Sequence, residues 1–178
     1  MTSIAAMGVE VRRLDADAAR AAIGDLAEVL VDAVDGGDSV SFMAGFDLAD
    51  ARVFYESLLP ELEQGTRVLL AAYVDGGLVG TVQLVHAWPP NSQHRADVAK
   101  LIVHRRARGR GVGRALMEQL EHEARADGKT LLVLDTVAER SADRLYGRLG
   151  WTRLGTVPDF ALDPDGSFCD ATFFYKHL

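Results

Sequence analysis

The sequence predicts an α/β fold, in its α+β form, organised on a mixed sheet. Three observations lead there. Helical and extended segments alternate along the chain. Tight-turn signals at Asp75-Gly76-Gly77 and Asp163-Pro164-Asp165-Gly166 join apolar runs as antiparallel hairpins. The runs ending at Val103 and Asp135 are joined through a helix, which makes them a parallel pair by a right-handed crossover. Hairpins beside a crossover exclude a doubly wound, all-parallel sheet.

Each element has its own signal. Val9 to Leu14 reads as the first strand, and Asp15 or Asp17 can cap the helix after it. Ala18 to Val34 sets Ile23, Leu26, Leu30 and Val34 at helical spacing, and Gly36-Gly37 stops it. Ser39 to Phe46 is a loop whose Phe42, Met43 and Phe46 are expected under the domain, although such residues also suit a substrate wall. Asp47 or Asp50 starts a second helix to about Gln64, with a kink or break expected at Pro60. Arg67 to Val74 and Leu78 to His86 are the strands of the first hairpin, and Pro89 to Ser92 is a loop.

Arg95 to Val103 is the next strand, where period two puts Asp97, Ala99, Leu101 and Val103 on one face. In the helix over 112–127, Val112, Leu116, Leu120 and Ala124 form one apolar face, and Glu121 and Arg125 stand in the favourable order for a pair. Lys129 to Asp135 is a buried strand. Ser141 to Leu149 is a short helix ended by Gly150. Trp151 to Leu162 and Phe168 to Lys176 are extended.

Bulk composition sets outer limits. The 178 residues, 48% hydrophobic and 25% charged, suit one domain spanning 1–178 with a real core. A net charge of −7 makes a poor general binder of nucleic acid or anionic membrane. One cysteine, Cys169, allows no internal disulfide and suits a reducing cytoplasm. Met1 to Val11 lacks a signal-peptide run, and the histidines and cysteine show no metal-ligand spacing. No metal is expected.

The chemistry concentrates in Arg108-Gly109-Arg110-Gly111-Val112-Gly113-Arg114, between a strand and a helix. Such a turn aims unpaired backbone amides one way, at the positive end of the helix dipole. Arg105, Arg106, Arg108, Arg110 and Arg114 crowd the same stretch, so the site is expected to hold a phosphorylated anion. The dinucleotide fingerprint fails, because its third glycine falls on Arg114 or Leu116, and no Walker Gly-Lys-Ser/Thr is present.

What fits is R-x-x-G-x-G, Arg108 to Gly113, which resembles the acetyl-CoA pyrophosphate loop of the GNAT family of N-acetyltransferases. A second block, Ala142-Asp143-Arg144-Leu145-Tyr146-Gly147-Arg148-Leu149-Gly150-Trp151, is similar to a pattern of the same family, in the right order. Val133 to Thr136, Pro158 to Leu162, Pro164 to Gly166 and Thr172 to Lys176 resemble the branch that includes the tabtoxin-resistance acetyltransferase. The blocks cover about 97–178. The resemblance implies a central, mostly antiparallel sheet with a parallel pair splayed at the coenzyme site and helices on both faces.

It also implies roles. Backbone amides of Arg108, Gly109, Arg110, Gly111, Val112, Gly113 and Arg114 would bind the pyrophosphate of acetyl-CoA, and the main chain of Leu101, Ile102 and Val103 would pair with pantetheine. Tyr146 would be the general acid for the departing thiolate. The base is open: Asp97 stands six residues before Val103, where histone-type members carry glutamate, and Asp135 ends its strand. His86 is a third option. Where the family often carries asparagine, this chain has Glu139.

The expected activity is acetyl transfer to a primary amine of a small molecule, such as an amine-bearing toxin or antibiotic. Protein lysines or N-termini are an alternative acceptor, and a non-catalytic acyl-CoA sensor is a third reading. The expected assembly is a monomer or homodimer.

Overall fold

The computed structural model describes residues 8–178; the first seven residues of the Met1 to Val11 segment lie outside them. In chain order the elements are β1 (Val9–Leu14), α1 (Ala16–Asp35), α2 (Leu48–Glu63), β2 (Arg67–Val74), β3 (Gly77–His86), β4 (Arg95–Val103), α3 (Val112–Ala126), β5 (Leu131–Val137), α4 (Ser141–Arg148), β6 (Thr152–Leu162) and β7 (Phe168–His177). The strands form a seven-stranded sheet in the order β1-β2-β3-β4-β5-β7-β6. Among the described residues only β4 and β5 run parallel; the other neighbours are antiparallel. This is the mixed sheet that the hairpin signals and the crossover predict.

Local chemistry sets the boundaries. Asp15 caps α1 by accepting from the Ala18 amide at 2.8 Å, so the helix begins two residues before Ala18. Both candidate caps act on α2: Asp47 accepts from the amides of Ala49 and Asp50, and Asp50 reaches back to the Asp47 amide. No break follows at Pro60. It sits in the last turn, where the helix continues to Glu63 and the Gln64 amide still bonds the Pro60 carbonyl at 3.0 Å. Asp75 (φ 51°) and Gly76 (φ 81°) are both left-handed, the backbone that a two-residue hairpin needs.

Two cores hold the sheet. On one face, Val112, Leu116, Leu120 and Ala124 of α3 pack with Val82, Leu84, Leu132 and Phe174. Tyr146 of α4 and Trp151 join this first core. On the other face, Leu26, Leu30 and Ala33 of α1 and Tyr55 and Leu58 of α2 cover Leu69, Ala71, Leu78 and Ile102. Fully buried leucines such as Leu116 and Leu120 contribute roughly 1.5–3 kcal/mol each.

Glu121 departs from its expected surface pairing. Arg125 approaches it only to 3.9 Å, whereas Lys176 of β7 donates to both carboxylate oxygens at 2.7 and 2.8 Å. Trp151 Nε1 donates to the same carboxylate at 3.2 Å, and Lys176 also donates to the Leu149 carbonyl at 2.7 Å. The apolar neighbours of α3 bury Glu121, so its charge needs that inner partner. Among the described residues, no helix is long and apolar enough to cross a membrane.

Gly80 fixes the distance between β3, β4 and α3. A Cβ there would stand 2.9 Å from the Ile102 carbonyl oxygen and 3.2 Å from both Leu116 and Val112. Gly80→Ala is expected to destabilise by about 1–3 kcal/mol. Gly24→Ala, in open space on α1, is expected to stabilise by about 0.5–1 kcal/mol. Urea unfolding midpoints of the two variants check both signs.

Candidate active site

The site begins with a fault in β4. Gln83 of β3 opposes Ala99, but Thr81 opposes Ile102, so Lys100 and Leu101 occupy the room of one residue opposite β3. Lys100 absorbs the excess with a left-handed backbone, φ 54°. Pairing with β5 is confined to Arg95↔Leu131, Ala96↔Leu132 and Asp97↔Val133, and beyond it the two parallel strands part.

The bulge resets the alternation of side chains. Before it, Ala96 and Val98 face the first core; after it, Leu101 and Val103 do, while Ile102 enters the second core. Uniform period two therefore fails: Asp97 and Ala99 do not share a face with Leu101 and Val103. Asp97 instead accepts from Arg95 Nη1 at 3.0 Å and lines neither cavity described below. His86 is likewise elsewhere, with Nε2 3.3 Å from Asp127.

Two cavities meet where the strands part. The first, about 470 Å³, lies between the start of α3, the end of β4 and α4. The second, about 450 Å³, lies between the bulge, the end of β5 and the β6–β7 hairpin. They share Ser39, Val40, Leu101, Thr136, Val137 and Ala142 as walls, so one space runs into the other.

The first cavity gathers hydrogen-bond donors and positive charge. Gly109 (φ 76°) and Gly111 (φ 79°) hold left-handed turns, and Gly111 caps α3 without a side chain. The Ala115 amide is the first to find a helix carbonyl, that of Gly111 at 3.0 Å. The amides of Val112, Gly113 and Arg114 thus point outward at the positive helix end. A Cβ on Gly113 would stand 3.2 Å from Leu145, so this glycine lets α4 close over the helix start.

The arginines divide differently from the sequence expectation. Arg108 and Arg114 line the cavity, together with Arg140 and Arg148 from the α4 side. Arg105 is held by Asp32 at 2.9 Å, Arg106 donates to the Leu78 carbonyl at 3.1 Å, and Arg110 leans toward Asp75 at 3.7 Å. Each is turned toward an acceptor outside the cavity lining, a carboxylate for Arg105 and Arg110 and a backbone carbonyl for Arg106. For Arg140 and Arg148 the sequence signal is the spacing of four through Arg144, although Arg140 is the extended cap before α4 and Arg144 does not line the cavity. Arg108 also pairs with Asp38, and Arg140 pairs with Asp163, across the cavity mouth.

The second cavity carries Tyr146, Asp135 and Lys100. Tyr146 is buried against Trp151 and Phe174, with ring centroids 5.8 and 5.6 Å away. Burial, and then the charge of Asp135, push its phenol above the ordinary range, so it stays protonated near neutral pH. Solvent reaches Asp135 through the open cavity, yet the surrounding walls still push its carboxyl up, against the opposing pull of Lys100. Lys100 is pushed down by desolvation and by Arg67.

Further walls fall where the sequence left alternatives. Phe42 and Phe46 stack at 4.0 Å against the second core, whereas Ser41 and Met43 line the cavity. A bulge between Val157 and Ala161, anchored by the Asp159 amide on Asp170 at 3.0 Å, brings Phe160 to its rim. Glu139 lines neither cavity; it turns the chain at φ 61° and leaves the next residue, Arg140, to face the first one. The signal for Lys100 was plain in retrospect: it is the lone charge in the apolar run Val98 to Val103.

Comparisons with known proteins agree with this geometry. In fold, the chain is similar to an N-acetyltransferase from Staphylococcus aureus Mu50, with TM-score 0.78, 18% identity and coverage of 95% and 98% of the two chains. It is similar to yncA from Salmonella typhimurium, solved with its cofactor acetyl-CoA, with TM-score 0.78, 21% identity and coverage of 96% and 94%. A ribosomal-protein-alanine N-acetyltransferase from Brucella melitensis gives TM-score 0.77, 24% identity and coverage of 95% and 99%. An IAA acetyltransferase from Azospirillum brasilense is 35% identical over 75 residues, 42% of this chain and about half (49%) of that protein. Residues 38–151, which contain the glycine turn, the bulge, the splay and α4, match the acetyltransferase (GNAT) family, and the chain belongs to it.

Proposed function

We propose that the protein transfers the acetyl group of acetyl-CoA to a primary amine of a small molecule. The observation that carries this reading is the confluence of the two cavities: outward amides and arginines at one end, Tyr146 and Asp135 at the other. In this reading the amides of residues 108–114 and the guanidinium groups of Arg108, Arg114, Arg140 and Arg148 hold the pyrophosphate. The main chain of Leu101, Ile102 and Val103, released from β5 by the splay, pairs with the pantetheine arm.

Acetyl-CoA supplies an activated thioester carbonyl. Asp135 takes one proton from the acceptor ammonium, and the freed amine nitrogen bonds to the carbonyl carbon. As the carbon–sulfur bond breaks, Tyr146 gives its proton to the sulfur. The second nitrogen proton restores the phenol, and Asp135 releases its own to water. The raised carboxyl of Asp135, once ionised, is a stronger base toward the acceptor ammonium than an ordinary carboxylate. Asp97, engaged with Arg95 outside both cavities, has the weaker claim.

The Ser41–Met43 wall and Phe160 make the second cavity a bounded pocket of about 450 Å³. That size suits a small acceptor better than an extended peptide. Amine-bearing antimetabolites acetylated in the cytoplasm are the acceptors this reading proposes, on the likeness of the Val133 to Lys176 blocks to the tabtoxin-resistance branch. Incubation with acetyl-CoA and a wide amine panel is expected to release free thiol. No release, or faster acetylation of ribosomal or histone peptides, would reject the small-molecule reading.

Tyr146→Phe is expected to lower kcat by about 10²–10⁴-fold, with acetyl-CoA affinity by calorimetry kept within about threefold. Gly111→Val, which forces a β-branched residue into the left-handed cap, is expected to weaken that affinity by about tenfold or more. Because Asp135 must be ionised to accept a proton, kcat/KM is expected to fall as pH drops through its raised pKa. Asp135→Asn is expected to remove that limb and lower kcat/KM by about 10²-fold in a pH–rate series.

A further inference from the structure

We propose that Lys100 is the acceptor-binding cation of the second cavity, and that the acceptor is an amine that also carries a carboxylate. The inference rests on the acetyl-transfer reading and narrows its substrate class.

Three observations meet at Lys100. Its backbone is left-handed at φ 54°, and so is that of its hydrogen-bond partner Ser41 at φ 77°. Two non-glycine residues held this way, joined side chain to side chain across a cavity wall, mark a place where the fold tolerates strain. The ammonium donates to Ser41 Oγ at 2.7 Å and stands 5.8 Å from the centre of the Phe42 ring. Among the described residues, no carboxylate lies within 4.0 Å of it. The side chain is half-buried, so it has given up water without gaining a counter-ion.

The other charges of the cavity have tasks already. Asp170 is spent on the Asp159 amide, which shapes the β6–β7 bulge. Asp135 stands beside Tyr146 and is available to the reacting ammonium. Lys100 and Asp135 sense each other's charge but do not close into an ion pair. A ligand bearing both an ammonium and an anion satisfies the two together, amine toward Asp135 and anion toward Lys100. A single ammonium with one hydroxyl beside it, and no arginine in this cavity's wall, fits a monoanion better than a phosphoryl dianion.

The test pairs 4-aminobutyrate, 6-aminohexanoate and a set of free α-amino acids with their carboxamides, followed by thiol release. The wild type is expected to favour at least one carboxylate over its amide by tenfold or more in kcat/KM. Lys100→Met is expected to erase that ratio through KM, and Lys100→Arg to keep it. Lys100→Glu is expected to shift preference toward 1,4-diaminobutane. Acetyl-CoA titration checks that each variant is folded. If Lys100→Met does not fold, Lys100→Gly, which relaxes the left-handed backbone, replaces it.

Binding of the same carboxylates to the protein in the presence of coenzyme A separates the two claims. Binding weakened tenfold by the charge loss, without thiol release in any protein, keeps this proposal and sinks the transfer reading. Thiol release with equal use of acid and amide, or a Lys100→Met ratio equal to wild type, overturns this proposal and keeps the transfer reading. Failure of every carboxylate to bind or react overturns it as well.

Discussion

The whole site depends on one interruption of backbone pairing. A parallel pair buried in a sheet would ordinarily continue to its ends, because an unpaired amide or carbonyl in the interior costs free energy. Here one extra residue in β4 is absorbed at Lys100, and the hydrogen bonds between β4 and β5 cease after Asp97 and Val133. Beyond that point the facing edges of β4 and β5 no longer pair with each other. The same residue reverses which side chains face which core, sending Ile102 to the α1–α2 side and Leu101 toward α3. Opening the sheet and relining its cleft are thus one event.

Much of the architecture was legible because it follows from short-range rules. Period four in α3, the acidic caps of α1 and α2 and the Asp75-Gly76 turn each rest on residues a few positions apart. The mixed sheet followed from counting hairpins against crossovers. What escaped needed partners distant in sequence. Alternation in β4 looked uniform because nothing local announces a bulge; only its register against β3 does. Glu121 read as a surface helix residue until Lys176, 55 positions away, came to meet it.

The same distinction separates the site residues. The glycine turn and Tyr146 could be picked out within their own blocks, and both line the predicted cleft. The arginine cluster divides by tertiary partners, because each side chain's direction depends on which acceptor it finds in the fold. Asp32 and Asp75 take two of them, and the cap and last turn of α4 bring Arg140 and Arg148 from far along the chain. Asp97 and Asp135 carry the same chemistry; they differ because Asp97 lies where β4 still pairs on both sides and Arg95 engages it, whereas Asp135 lies beyond the last β4–β5 pair, in the second cavity.

Asp38, Ser39 and Val40 stand between the two cavities, and this short segment is fastened from both sides. Asp38 holds Arg108 at the glycine turn, while the Ser39 hydroxyl donates to the Leu162 carbonyl at 2.8 Å on the hairpin. The two chambers therefore share one tethered wall, in which any displacement of Asp38 at the glycine turn is resisted by the Ser39 anchor on the hairpin.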